Sequence, residues 1–553
     1  MKRFAELLDR LSYEPRRNNK LRLMTDYFRA APDPERGFAL AALTGALAFR
    51  HAKPGMIRAL ISERADPILF ELSHDYVGDL SETVALMWQP QAAAASRQPT
   101  LGEVVTGLSS LGKAALPGQL ARWLDALDET GRWALLKLVT GELRIGVSAR
   151  LAKTAVAALA GKDAQEVELI WSGLRPPYVE LFAWLEGRAD KPVGSDPAPF
   201  RPAMLAHAVD DSDLSALDSA DFMGEWKWDG IRVQAVAGVG AQGRLVARLY
   251  SRTGEDISAS FPDLLAALRL PGAIDGELLI VREGRVESFN VLQQRLNRKT
   301  VNEKLLAEFP AHLHAYDLLV EGDDDLRGLP FTARRRRLEG FVARLHERRI
   351  DLSPLVVFSN WEELAAARAN PAGAGAGEDA EAVEGVMLKR RDAPYVAGRP
   401  RGPWWKWKRD PFVVDAVLMY AQRGHGKRSS YYSDYTFGVW SKGDEGDVLV
   451  PVGKAYFGFT DEELVAIDRF VRRNTVERFG PVREVVHEAE RGLVLEVAFE
   501  GLQRSRRHKS GIAMRFPRIN RLRWDKPPGE ADRLETLEGM LSKTGTAAAN
   551  RVL

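Results

Sequence analysis

The chain contains no cysteine. That absence excludes disulfides, thiolate zinc sites and cysteine nucleophiles in one step, and it fits a reducing compartment. No apolar run approaches the roughly 20 residues that a membrane helix needs, so no membrane span is expected. The opening stretch MKRFAELLDRLSYEPRR mixes charges with apolar residues at helical spacing and lacks the unbroken apolar stretch of a secretory signal. A cytoplasmic location is therefore the expectation. Net charge is small, +2 at neutral pH, and by itself points to no partner. A Walker A loop is missing too: GHGKRSS from Gly424 lacks the spacing. Gly238, Gly240 and Gly243 form a GxGxxG, but the strand-like RLVARLYS follows where a dinucleotide fold needs a helix, so a hairpin turn is expected.

What is present is a 553-residue chain, long enough for two to four domains. Up to about residue 200, Ala and Leu recur at three- and four-residue intervals, as in GFALAALTGALAF, and predict an all-α region. DKPVGSDPAPFR, Asp190 to Arg201, reads as a linker and a domain boundary. From residue 201 to 410 the runs IRVQAVAGV, GRLVARLYS, AIDGELLIV, LHAYDLLV and GVMLKR predict strands, with helices at FPDLLAALR and TARRRRLEGFVARL, giving an α+β domain. NPAGAGAGED from Asn370 reads as a flexible surface loop, and the Arg334–Arg337 run as the start of a solvated helix. After residue 411, FVVDAVLMYA, YTFGVWS, DVLVPVG and LVLEVAFEG predict a small β-barrel of the OB type, with a frayed end at SKTGTAAANRVL. Between Arg504 and Lys526 nine Lys/Arg face one acid, Asp525. Such a run suits a polyphosphate or nucleic acid, or simply makes a solvated basic face.

One lysine stands out chemically. Lys227 lies in EWKWDGIR between Trp226 and Trp228, followed by Asp229, Gly230 and Arg232. The tryptophans favour a strand and Gly230 a turn, placing Lys227 where strand meets loop. Alone, it reads as an ordinary surface lysine. Asp275 and Glu277 in IDGELL, Glu384 in EGVML, and Lys406 and Lys408 in WWKWK change that reading. Each taken singly suits a structural salt bridge, but their joint order does not suit chance. Strand alternation points Lys406 and Lys408 to one side.

The ordered segments KWDGIR, SRTGEDIS, IDGELL, AYDLL, EGVMLK, WWKWK and RFPRINRLRWDK resemble the collinear motifs of the covalent nucleotidyltransferases: ATP-dependent DNA ligases, RNA ligases and mRNA capping enzymes. With the helical N-terminal region and VTGELRIGV, the chain resembles the three-domain DNA ligases. The resemblance implies a helical DNA-binding domain (1–200), a nucleotidyltransferase domain (201–410) and an OB domain (411–553). It implies nick sealing on duplex DNA by a monomer with ATP and Mg²⁺, Mn²⁺ being able to substitute, in replication, repair or recombination. The sequence names no protein partner. An RNA ligase or capping enzyme, or a non-catalytic nucleic-acid binder, are the other readings. An NAD-dependent ligase is disfavoured, because such enzymes usually carry a four-cysteine zinc site.

By the same resemblance Lys227 carries AMP, Glu225 contacts adenine, and Tyr316 takes the place of a Phe stacked on the base, although a core aromatic is the plain alternative. Arg232 and Arg252 contact ribose and phosphate, Glu277 the ribose and a metal, and Glu384 a metal. Lys406 and Lys408 face the phosphates. The family's Arg six residues before the first of these lysines is Pro400 here, flanked by Arg399 and Arg401, either of which could serve. In the last motif, with Arg515, Arg518, Arg523, Asp525 and Lys526, Arg518 and Lys526 bind the nucleotide as the domain closes. A free lysine is only about one part in two thousand uncharged at neutral pH. Burial and nearby cations are expected to lower the pKa of Lys227.

Overall fold

The computed structural model describes residues 1–545 apart from 78, 92–96, 142, 172, 193–195, 297, 299–300, 425–430, 444–445 and 506–509. Parts of the expected linker, of VTGELRIGV, of GHGKRSS and of the basic run therefore lie outside the described residues, as does most of the expected frayed end. No helix among the described residues is long and apolar enough to cross a membrane. Residues 1–70 and 79–409 form one compact unit, and residues 71–77 with the described residues from 410 onward form a second.

Twelve described α-helices lie between Lys2 and Leu185, all in the first unit except most of Pro67–Val77. Periodicity explains them: Lys2–Tyr13 buries Phe4, Leu7, Leu8 and Leu11 on one face. Local chemistry sets their ends. Thr100 and Glu103 form a capping box on Leu101–Ser110, and Glu35 accepts from the Leu101 and Gly102 amides at 2.8 Å. The second half of the expected linker is docked rather than free. Tyr250 donates to the Ala198 carbonyl at 2.8 Å, and the Arg201 amide donates to Gln234 at 2.6 Å.

Twelve strands follow: β1 (His207–Ala208), β2 (Phe222–Trp228), β3 (Ile231–Val239), β4 (Leu245–Ser251), β5 (Gly272–Arg282), β6 (Arg285–Val286), β7 (Ala311–Glu321), β8 (Asp324–Asp325), β9 (Ile350–Leu352), β10 (Leu355–Val356), β11 (Val383–Arg390) and β12 (Trp404–Lys408). They make two sheets, β4-β3-β5-β7-β8 and β1-β12-β11-β2-β10, with β6 beside β5 and β9 parallel to β7. Val233, Ile274, Leu313 and Ala315 pack with Leu338 and Phe341 of the helix Phe331–Leu345. Val236, Tyr250 and Leu319 from one sheet meet Trp404 from the other. The GxGxxG is indeed the β3–β4 hairpin turn, closed by the Gly240 amide donating to the Arg244 carbonyl at 2.9 Å.

Two expectations fail here. Asn370–Asp379 is not a bare loop but carries 3-10 turns at Ala372–Ala374 and Gly377–Ala382, pinned by the Val286 amide donating to Asp379 at 2.8 Å. The helix over 331–345 exists, yet Arg334 and Arg335 are buried in it, not solvated. They share its inward face with Leu338 and Phe341 because internal carboxylates meet them.

The second unit contains β13 (Phe412–Arg423), β14 (Tyr432–Gly443), β15 (Gly446–Ala455), β16 (Thr475–Phe479), β17 (Val482–Val485), β18 (Val494–Phe499), β19 (Gly501–Arg504), β20 (Ile512–Arg515) and β21 (Arg518–Arg523). The long β13 pairs with β14, β17 and β18, all antiparallel, and wraps them around Leu418, Phe437, Leu495 and Val497. The helix Asp461–Asn474, with a Thr460/Glu463 capping box, adds Ile467 and Val471 to that core.

Candidate active site

β2 ends on Lys227 and Trp228, and the chain then turns through Asp229–Gly230 into β3 of the other sheet. Gly230 is required by closeness: a Cβ there would lie 2.6 Å from the Leu278 carbonyl oxygen and 2.8 Å from Glu277 Cγ. The turn thereby presses Lys227 toward the strand that carries Glu277. Across β2, Lys227 pairs with Gly385 of β11, and Trp228 with Val383, so Glu384 is the extra residue of a bulge. A bulge re-aims its side chain. Glu384 Oε2 lies 2.7 Å from Lys227 Nζ and 3.6 Å from Lys408 Nζ. Gly385 makes this possible, with φ +148° and its Cβ position 2.2 Å from the Trp407 carbonyl oxygen of β12.

Lys406 and Lys408 lie two apart on β12, as alternation predicts. Burial pushes the Lys406 ammonium below its usual range, and so do Lys408, Lys227, Arg399 and Arg252. Four cations crowding a fifth mark a place that an anion would stabilise. Arg399, next to Pro400, is thus an arginine whose charge reaches this group. Arg252, in the turn after β4, is exposed.

Lys227 itself departs from expectation. Burial lowers its pKa, but Glu384, Glu277 and Asp229 outweigh burial, and the amine is held above the ordinary lysine value. The bulge and the Gly230 turn bring in carboxylates whose pull exceeds the effect of burial. Glu277 is the counterpart: burial and neighbouring carboxylates push it up to about 8, against the pull of Lys227 and Arg232.

The sign of the resulting linkage is clear. A carboxyl whose folded pKa lies above its unfolded one stabilises the fold below the unfolded pKa, and that contribution is lost as pH rises through the folded value. Between about pH 4.5 and 8, metal-free protein thus loses stability through this group. Glu277→Gln is expected to stabilise the chelator-treated first unit, by at most about 3 kcal/mol near neutral pH. The gain should grow from pH 5 to pH 8 in thermal melts. A gain that is flat or shrinks with pH would contradict the assignment.

Other site residues have definite partners. Arg232 on β3 donates to Asp275 at 2.6 Å and to the Tyr395 hydroxyl at 3.0 Å. Tyr316 is the extra residue of a second bulge, where β5 and β7 shift register, and the guanidinium of Arg232 lies 5.9 Å from its ring centre. Lys389 sits 4.3 Å from the same ring and 4.6 Å from that of Trp404. Glu225 is buried, with one carboxylate oxygen 3.2 Å from Arg335 and the other 2.6 Å from Lys389. With one cation on each oxygen, the carboxylate keeps lone pairs for a further donor.

Tyr395 is not marked by the sequence, Lys389 is marked only as the end of EGVMLK, Arg335 only as part of a solvated run, and Asp275 only as an acid of the motif and not as the partner of Arg232. Counting back from Phe341 and Leu338 in steps of three and four does place Arg334 and Arg335 on the helix's inward face. No comparable signal marks Tyr395.

Arg518 and Lys526 belong to the second unit. Lys526 Nζ lies 2.8 Å from Asp415, which also holds Arg523 at 3.1 Å, and Arg523 pairs with Asp525 at 2.9 Å. Part of the basic run is therefore neutralised within its own unit.

Glu277 and Glu384 fit a hard divalent cation. Both offer carboxylate oxygens, the donor type such an ion takes, and each feels the other's charge.

Comparison with known proteins agrees across the chain. Residues 203–408 match the family described as ATP dependent DNA ligase domain, and residues 428–526 match ATP dependent DNA ligase C terminal region. The chain is 30% identical to a protein named DNA ligase 1 from Korarchaeum cryptofilum, over 98% of both chains. It is 33% identical to a probable DNA ligase from Koribacter versatilis, over 73% of this chain and 71% of that one. A solved structure titled Pmar-Lig_PreS3 shares the fold, with TM-score 0.57 and 15% identity over 94% of this chain and 99% of that one.

Proposed function

This chain belongs to the ATP-dependent DNA ligases, and from that premise we propose that its nick sealing runs through a covalent AMP on Lys227. The observation that carries the assignment is the convergence on one amine. Lys227 Nζ, at the sheet-to-sheet turn, is held 2.7 Å from Glu384 while Lys406 and Lys408 approach from β12.

The reaction has three transfers. The neutral Nζ attacks the α-phosphorus of ATP, an N–P bond forms, the bond to the bridging oxygen breaks and pyrophosphate leaves. AMP then passes to the 5′-phosphate at the nick, freeing the lysine. The 3′-hydroxyl attacks that phosphorus and AMP departs, leaving a phosphodiester. Lys406, Lys408, Arg399 and Arg252 meet the phosphates, whose negative charge relieves the mutual repulsion of these cations. Tyr316 offers its face to the base, and Arg232, fixed by Asp275, borders the ribose. Glu225, held by Lys389 and Arg335, accepts from the adenine amine. Mg²⁺ held by Glu277 and Glu384, when bound, would supply positive charge that offsets the carboxylates now holding the Lys227 proton.

The domain plan we propose is DNA binding by residues 1–200, nucleotidyl transfer by 201–410 and an OB domain over 411–553, in which Arg518 and Lys526 serve the first step. Incubation with ATP and magnesium, then digestion and mass spectrometry, tests the central assignment. One AMP per chain on the peptide containing Lys227 is expected, and an adduct on another residue would overturn it.

Contacts to DNA should fall mainly on phosphates, because nicks occur in any sequence. Affinity for a nicked duplex is therefore expected to drop by about 10³-fold or more between 50 and 200 mM salt. A salt-independent affinity in a filter-binding titration would reject phosphate-dominated binding.

A further inference from the structure

His312 and His314 lie two apart on β7, so the strand's alternation puts both imidazoles on one face. β9 runs parallel beside them, with Asp351 in register with His314. Asp351 Oδ2 lies 3.0 Å from His312 Nε2, and Oδ1 contacts His314 Nδ1. One donor atom from each of the three residues falls within 4.8 Å of the others.

The histidines are nearly covered, whereas the Asp351 side chain is 51% exposed and opens the cluster to solvent. His312 Nε2 is buried and, despite its distance from the carboxylate, has no hydrogen-bond partner of acceptable geometry. A buried ring nitrogen close to an anion but poorly aligned with it offers a lone pair that a metal ion could take up. In a chain without cysteine, two imidazoles and a carboxylate are strong remaining ligands for a borderline transition metal. They differ in kind from the all-oxygen pair Glu277 and Glu384.

We infer that His312, His314 and Asp351 form a second metal site, for a zinc-class divalent cation, that fastens β9 to β7. Tetrahedral bonds of about 2.0–2.2 Å need only a modest drawing-in of the three groups and leave a fourth position for water. Neutral imidazoles bind, so any proton shared within the cluster is released on metal uptake. The site is structural. The Trp228 ring packs 4.8 Å from the His314 ring, and its Nε1 donates to Ser353 Oγ at 3.0 Å, two residues beyond Asp351. Metal at this cluster would therefore stiffen the wall directly behind Lys227.

The full chain, stripped with chelator and dialysed, is titrated with Zn²⁺ against a chromophoric indicator, and in parallel with Co²⁺ followed by visible d–d absorption. One saturable ion per chain is expected, not displaced by millimolar Mg²⁺, together with a raised melting temperature. His312→Gln and Asp351→Asn should each weaken binding by more than about tenfold and abolish the cobalt bands. Asp351 is half exposed, so its variant should fold even if the histidine variant does not, as circular dichroism will show. No stoichiometric binding by the parent chain overturns the proposal. So does binding that Asp351→Asn leaves unchanged. None of these readouts depends on ligation, so the metal site can fail while the Lys227 assignment stands.

Discussion

Lys227→Ala is expected to abolish formation of the AMP adduct, a loss of about 10⁴-fold or more in rate, because no other group can form the bond. Lys227→Arg should be equally inactive, for a different reason. Arginine keeps a positive charge opposite Glu384, preserving the ion pair seen at 2.7 Å, but it does not lose its proton in proteins. If Lys227→Arg formed an adduct at that position, a neutral nitrogen nucleophile would be the wrong chemistry. Retention of labelled AMP by denatured Lys227→Ala would show that the wrong residue has been chosen. Both variants should still seal a nick that already carries AMP, slowly, because the last step uses the phosphate-binding groups and not the amine. Complete inactivity on that substrate, with nick binding intact, would mean that Lys227 also serves the final step. The parent's single-turnover adduct formation should accelerate as pH rises through neutrality, since the carboxylates around Nζ hold its proton on.

The second large effect concerns stability. Arg334 and Asp317 are both completely buried, joined by two bonds of 2.8 and 3.0 Å. Arg334 also donates to the Ala393 carbonyl at 3.1 Å and to the Leu329 carbonyl, so one guanidinium ties the helix Phe331–Leu345 to β7 and to the chain after β11. Arg334→Met would strip the Asp317 carboxylate of its two hydrogen bonds to a buried cation, leaving only the charge of Lys389 to act on it, and breaking such a pair typically costs about 3–5 kcal/mol. Because Tyr316 adjoins Asp317, nucleotide binding should weaken as well. Adding Asp317→Asn should recover part of the lost stability, since the stranded charge goes with it. A first unit of Arg334→Met that melts as the parent does, or a double variant no better than the single, would refute this account.

Several elements could be read along the chain because local physics decides them. The β3 and β7 runs alternate, the helical third repeats at three and four, and the GxGxxG lacks a following helix and is a hairpin turn. The arginine run departs from its local reading for a reason that is not local. A guanidinium at positions 334 and 335 looks too costly to bury until Asp317 and Glu225 arrive from two different strands. The same holds for Asn370–Asp379, whose composition suits a loose loop but whose Asp379 finds the Val286 amide. Tyr395 carries no mark in sequence. Its role exists only because its hydroxyl reaches Asp275 and Arg232 across the fold.

By itself the order of motifs determined the family and the kind of chemistry, since residue types and spacing along a strand are properties of the chain alone. Only the tertiary structure decided the charge state of the central amine and the aim of its neighbours. Two bulges turn Glu384 and Tyr316 toward the site, and a glycine turn brings Glu277 close. Electrostatic energy depends on distance through space, and a sequence lists neighbours only along the chain.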